Sequence, residues 1–227
     1  MDFFGVLKTM NRRAFLQMGL LTSAALISGC STNSEPNSPK TYEIFSDTYG
    51  AITDGGFRIP AVPIKRINEK YHRQIVKFYS TYPSGTVIVN TKQRFLYFVL
   101  PGGKAVRYGI GVGRAGFAWE GEAYIAWKRK WPKWTPPQEM VERQPNLRKY
   151  AKEGMKPGLK NPLGARALYL FDRETRTDTL FRLHGTPEWS SIGTAASSGC
   201  IRLINQDIID LYDRVKPGSR SKVIVIQ

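Results

Sequence analysis

Thr86-Val-Ile-Val-Asn90 and Arg94-Phe-Leu-Tyr-Phe-Val-Leu100 are two β-rich runs parted by a short polar turn, and Pro101-Gly-Gly103 divides the second from Lys104-Ala-Val-Arg-Tyr-Gly-Ile110. Closely spaced runs with turn signals between them predict an antiparallel β unit. Ala167-Leu-Tyr-Leu-Phe171, Thr179-Leu-Phe-Arg-Leu183 and Lys222-Val-Ile-Val-Ile226 predict further strands. Helical patterns are few. One covers about 137–151. The other covers about 206–215, with Ile208, Ile209, Leu211, Tyr212 and Val215 for a buried face and Pro217-Gly218 as a stop. The chain therefore reads as mainly β, with a few helices.

The 227 residues suit one domain of ordinary size plus extensions, and a hydrophobic content of 41% fills a real core. The net charge of +16 predicts an anionic partner or anionic surroundings. Nucleic acid is not expected as a partner. The basic residues are scattered, with one dense stretch at Trp127-Lys-Arg-Lys-Trp131, and no zinc-finger, helix-turn-helix or RNP pattern accompanies them. An anionic cell envelope suits the charge better.

The N-terminal region supports that setting. Asn11-Arg-Arg-Ala-Phe-Leu-Gln17 precedes a short apolar run ending in Leu26-Ile-Ser-Gly-Cys30. A basic patch before such a run is a secretory signal, and the paired arginines resemble a twin-arginine export signal. The last five residues resemble a bacterial lipoprotein cleavage site, which implies cutting before Cys30, lipidation there and a lipid anchor in the membrane. Ser31, by resemblance to Gram-negative lipoproteins, implies the outer membrane, with the protein on the periplasmic face. The expected division is a signal peptide at 1–29, a lipid-anchored tether and lead-in at 30–84, and a folded domain at 85–227. Residues 31–40 are polar with two prolines and read as a flexible tether. Residues 41–80 are expected to wrap the domain surface, with His72 at the surface. The chain's two cysteines would suit one disulfide. Lipidation of Cys30 removes that option and leaves Cys200 as an unpaired thiol in an oxidising compartment, which is unusual without a chemical role.

Two other stretches invite a reading. Gly111-Val-Gly-Arg-Ala-Gly116 has dinucleotide-binding spacing, but Phe117-Ala-Trp-Glu-Gly121 does not start a helix, so a glycine-bearing turn between strands is expected and no cofactor. The Trp-, Pro- and Lys-rich stretch 127–164 is expected to be a long insertion over one edge of the sheet. Its aromatic and basic residues suit an anionic glycopeptide, and equally suit packing onto the sheet.

Thr194-Ala-Ala-Ser-Ser-Gly-Cys-Ile-Arg-Leu203 carries the chemistry, with His184-Gly185 shortly before it. Cys200 is a nucleophile only as its thiolate, and His184 is a base able to take the thiol proton and return it to an amine. His184 follows a predicted strand, from which Gly185 lets the chain leave sharply. Ser197 is a candidate to orient the imidazole. Gly199 permits a backbone in which N–H groups near Ser198, Gly199 and Cys200 converge on an oxyanion. Arg202 suits a substrate carboxylate. Taken singly, each residue also suits a structural role, since cysteine is often a small buried hydrophobe. Two histidines and one remaining cysteine, without ligand spacing, give no metal site.

Taken whole, His184-Gly-Thr-Pro-Glu-Trp-Ser-Ser-Ile-Gly193 through Ser197-Ser-Gly-Cys-Ile-Arg-Leu203 resembles the signature of the L,D-transpeptidase (YkuD-type) family: His-Gly, a spacer, then Ser/Thr-His-Gly-Cys, an apolar residue and Arg or Asn. The resemblance runs from about residue 85 to 227. It includes the glycine-rich turn at 111–116, Trp131-Pro-Lys-Trp-Thr-Pro-Pro137 and Asn161-Pro-Leu-Gly-Ala165. It implies a β-sandwich-like catalytic domain in which Cys200 is the nucleophile, His184 the base and Ser197 its support. It also implies action on peptidoglycan stem peptides. Cys200 would attack the carbonyl of the third stem residue and release D-alanine, and an amine acceptor would resolve the thioester. That acceptor is another stem or an envelope protein; water instead gives carboxypeptidase activity. One position departs, because Ser198 stands where the family usually carries His.

Overall fold

The computed structural model describes residues 41–113, 119–196 and 200–227. The export signal, Cys30, the tether, Ser197, Ser198 and Gly199 lie outside the described residues. The strands are β1 Thr41–Ile44, β2 Ile52–Asp54, β3 Phe57–Ile59, β4 Gln74–Lys77, β5 Val87–Asn90, β6 Phe95–Leu100, β7 Lys104–Gly109, β8 Gly111–Gly113, β9 Gly121–Lys130, β10 Arg166–Asp172, β11 Asp178–Thr186, β12 Ala195–Ala196, β13 Ile201–Ile204 and β14 Val223–Ile226. The α-helices are α1 Gln138–Arg143, α2 Tyr150–Glu153 and α3 Asn205–Arg214.

Twelve strands form one sheet in the order β1-β4-β7-β6-β5-β14-β9-β10-β11-β13-β8-β12, and β2 and β3 pair separately. The β5–β6–β7 meander follows the sequence pattern. Its second turn uses Gly102 and Gly103 at φ +72° and +67°, where a Cβ is disfavoured. β7 then runs through Ile110 directly into β8, near the far end of the strand order, so the sheet curls back on itself. The two halves share one interior. Val87, Val89, Leu96 and Val106 from one half lie in a single cluster with Ile125, Leu168, Leu183, Ile201 and Leu203 from the other. Each such fully buried side chain contributes roughly 1.5–3 kcal/mol. Ile88 points the other way, into a second cluster with Tyr97, Val99 and Ile224. Burial on both faces is why β5 reads as a continuous apolar run. The result is the mainly β, sandwich-like architecture expected.

α3 packs Ile208, Leu211, Tyr212 and Val215 into the main core. Lys128 on β9 donates from Nζ to the carbonyls of Tyr212 and Val215, at 2.6 and 2.9 Å, and so satisfies acceptors that the helix end leaves open.

Three expectations need correction. The helix expected over 137–151 is broken into α1, a single 3-10 turn at Pro145–Leu147, and α2. Pro145 has no N–H to continue the ladder and its ring clashes with the preceding turn. The stretch from 127 is not all insertion: Trp127 through Lys130 belong to β9, which pairs with β10 and β14 inside the sheet. Trp131 and Trp134, further on, are buried, with Trp131 packed on Phe57 and donating from Nε1 to Asp54 at 2.7 Å. His72 is not at the surface. It is 6% exposed, with Nε2 3.0 Å from the Ile67 carbonyl.

The lead-in is bound to the rest by more than apolar contact. β4 pairs with β7, and β1 with β4. The buried Arg166 guanidinium grips both oxygens of Asp54, at 2.7 and 2.8 Å. Arg73 lies 3.0 Å from Asp210 and 3.7 Å from Asp207 on α3, and the Tyr49 hydroxyl donates to Asp207 at 3.1 Å.

Candidate active site

β11 and β13 run parallel, with Leu183 opposite Ile201, His184 opposite Arg202, Gly185 opposite Leu203 and Thr186 opposite Ile204. Strand alternation sends Leu183, Ile201 and Leu203 into the core. The same alternation puts Arg182, His184, Cys200 and Arg202 on the other face. Cys200 lies one step before the Leu183–Ile201 pair and therefore opposite Arg182. β8 closes the far side, with Gly111 opposite Arg202, and the Gly113 N–H donates to the Cys200 carbonyl at 3.2 Å. A Cβ at Gly111 would run into the Ser191 carbonyl and touch Arg202 Nε, so this position holds glycine to let both approach. Gly111–Gly113 is strand, and the rest of the glycine-rich stretch, 114–118, lies outside the described residues.

His184 is 5% exposed, and its Nδ1 lies 2.6 Å from the Gly185 carbonyl oxygen. A carbonyl only accepts, so Nδ1 carries the proton and Nε2 keeps the free lone pair of a base. Burial, above all, lowers the imidazole from its ordinary 6.5 to about 4, and the charges of Arg202 and Arg182 add to this against the pull of the Gly185 carbonyl. His184 is therefore neutral near pH 7. Cys200 is a free, half-buried thiol. Burial pushes it up, while the Arg182 backbone N–H and the charges of Arg182 and Arg202 pull the other way. The resting pair is thiol and neutral imidazole.

The two arginines differ in what holds them. Arg182 is fixed by a two-point bond to Asp178, both contacts 2.7 Å, and its guanidinium lies 4.6 Å from the Tyr169 ring centre. Arg202 is 7% exposed, and its Nε and Nη2 have no hydrogen-bond partner among the described residues. Buried guanidinium N–H groups without partners are uncommon, and a fork of this shape fits a carboxylate.

The structure thus brings together Cys200, His184 and Arg202. Ser197, Ser198 and Gly199 lie outside the described residues. Sequence reasoning missed that the acceptor on His184 is the Gly185 main-chain carbonyl. Gly185 is also not an exit from the strand, because β11 continues to Thr186. The His-Gly dipeptide carried the signal, read as a turn. Arg182 was also missed, although its spacing of two from His184 put it on the same strand face.

The L,D-transpeptidase catalytic domain family (YkuD) matches residues 84–225. Two Escherichia coli proteins named as probable L,D-transpeptidases are similar. ErfK/SrfK is 34% identical over 148 residues, spanning 61% of this chain and 43% of its own. YcfS is 31% identical over 156 residues, spanning 63% and 44%. This chain thus matches less than half the length of either relative. A solved Brucella melitensis structure, described as a probable carnitine operon oxidoreductase, caia, is 45% identical with a TM-score of 0.48, covering 69% of this chain and 95% of its own.

Proposed function

Because the chain belongs to the family of L,D-transpeptidase catalytic domains, we propose that it is a peptidoglycan L,D-transpeptidase of the cell envelope, held to the membrane through lipid at Cys30. The observation that carries the reading is the shared face of β11 and β13, where Cys200 lies on the same face as a neutral His184 protonated at Nδ1 and as Arg202, whose Nε and Nη2 have no hydrogen-bond partner among the described residues.

The Cys200 sulfur attacks the carbonyl of the third residue of a tetrapeptide stem while His184 Nε2 takes the thiol proton. Backbone N–H groups around Ser198, Gly199 and Cys200 hold the oxyanion, and Arg202 holds the D-alanine carboxylate. The tetrahedral species collapses, the C–N bond breaks, and His184 returns the proton to the departing D-alanine nitrogen. An acceptor amine then attacks the thioester, passes its proton through His184 to the sulfur, and leaves an amide. The acceptor is a second stem, giving a 3→3 cross-link, or an amine of an envelope protein. The role proposed for Ser197 is to support His184. The burial of His184 favours a neutral ground state.

Mass spectrometry of the protein with a disaccharide-tetrapeptide, beside Cys200→Ala, tests this. Loss of D-alanine with dimer formation, present only with Cys200, is expected. Tripeptide without dimer would assign the activity to hydrolysis, and turnover by Cys200→Ala would overturn the mechanism.

A further inference from the structure

On the site's face of the sheet, four residues lie in a row across four neighbouring strands. Trp127 on β9 stands opposite Tyr169 on β10, and Tyr169 opposite Arg182 on β11. Arg182 in turn lies opposite Cys200, just before β13. The first three residues of the row are in contact: the Trp127 and Tyr169 rings stack at 5.1 Å and 24°, and Arg182 lies 4.6 Å from the Tyr169 ring centre. Trp127 is 39% exposed, one of few large apolar side chains open to solvent among the described residues. Trp131 and Trp134 are buried in packing and do not share this property.

Three strand spacings separate Trp127 from Cys200, about 14 Å. The stem between the scissile carbonyl and the sugar has three residues, which reach roughly 10 Å when extended, and the lactyl linker supplies the remainder. A stem laid across the strands with its third carbonyl at Cys200 therefore delivers its sugar to Trp127. An exposed indole suits the apolar face of a pyranose, and the exposed Arg129, on the Trp127 face of β9, offers a cation to an anionic stem, whereas Arg182 is already paired with Asp178.

We propose that Trp127, backed by Tyr169, is a glycan subsite that holds the muramoyl sugar of the donor while its stem crosses Arg182 to reach Cys200. This rests on the peptidoglycan reading above. Calorimetric binding of a disaccharide-tetrapeptide and of the bare tetrapeptide to Cys200→Ala, with and without Trp127→Ala, tests it. The indole's loss should weaken the disaccharide ligand by about tenfold, the usual scale for truncating an anchoring aromatic, and leave the bare peptide unchanged. Trp127→Phe should recover most of the loss. Equal weakening of both ligands would make Trp127 a stem contact or a packing residue, and no change would leave it a surface residue; either result overturns the proposal. Turnover of both ligands by the unmodified protein is measured in parallel. Its absence would sink the transpeptidase reading, while the binding comparison still decides the subsite.

Discussion

Asn205 lies hard against Gly185. Its Oδ1 accepts the Ala165 N–H at 2.9 Å, and a Cβ built on Gly185 would collide with that oxygen and crowd Ile208. The first residue of α3 is thus wedged between the start of β10 and the glycine whose carbonyl orients His184.

Gly185→Ala should therefore act on the base. The strand or Asn205 must move, and the carbonyl moves with it. A displacement near 1 Å costs on the order of a hundredfold in rate. D-alanine release should fall by roughly that factor, with KM little changed and a circular dichroism spectrum like that of the parent. Unchanged kcat would show that the carbonyl does not govern the imidazole.

The pH profile follows from burial of the imidazole. Protonated His184 cannot take the thiol proton, and in the folded protein it protonates near 4. The acid limb of kcat/KM should appear below about pH 5, well under the ordinary histidine range. Stability follows the same group. The unfolded chain takes up this proton near 6.5, and the folded one resists it until about 4. The contribution is complete above pH 6.5 and is lost as pH falls through that window. Thermal unfolding at pH 7 and pH 4.5, with His184→Gln as the reference lacking the term, checks it.

Arg202→Gln should remove recognition of the terminal carboxylate. A charge-assisted, two-point bond contributes about 1.5–3 kcal/mol, roughly ten- to a hundredfold. The parent should prefer a tetrapeptide over its C-terminal amide by that ratio, and the variant should not discriminate. Competition between the two substrates, read by mass spectrometry, gives the ratio directly.

Asp54→Ala should strike stability rather than chemistry. It leaves the Arg166 guanidinium buried without the carboxylate that grips it. Removing one partner of such a pair costs about 3–5 kcal/mol. Denaturant unfolding should show that loss, while D-alanine release by the remaining folded protein stays near the parent value.

The legible parts of the molecule were those where side-chain type states position. The β5–β7 meander announces itself through apolar runs and turn residues, and the face of α3 through its spacing. Cys200, His184 and Arg202 stand in one recognisable segment. β9 was obscured because Lys128 reads as part of a charge run, whereas its stem passes inward and its ammonium serves the end of α3. A partner supplied by tertiary structure cannot be seen in a local pattern. The same holds for His72, buried by a carbonyl five residues away, and for the Gly185 carbonyl, since every residue carries one.

The passage of β7 into β8 through Ile110 has a mechanical consequence. One uninterrupted length of backbone serves both layers, and Gly111 at its far end stands opposite Arg202. The continuous backbone ties the nucleophile's strand to the β5–β7 half, so the two are expected to unfold together. Heating should extinguish activity and fold at one temperature, with no inactive but folded population between them.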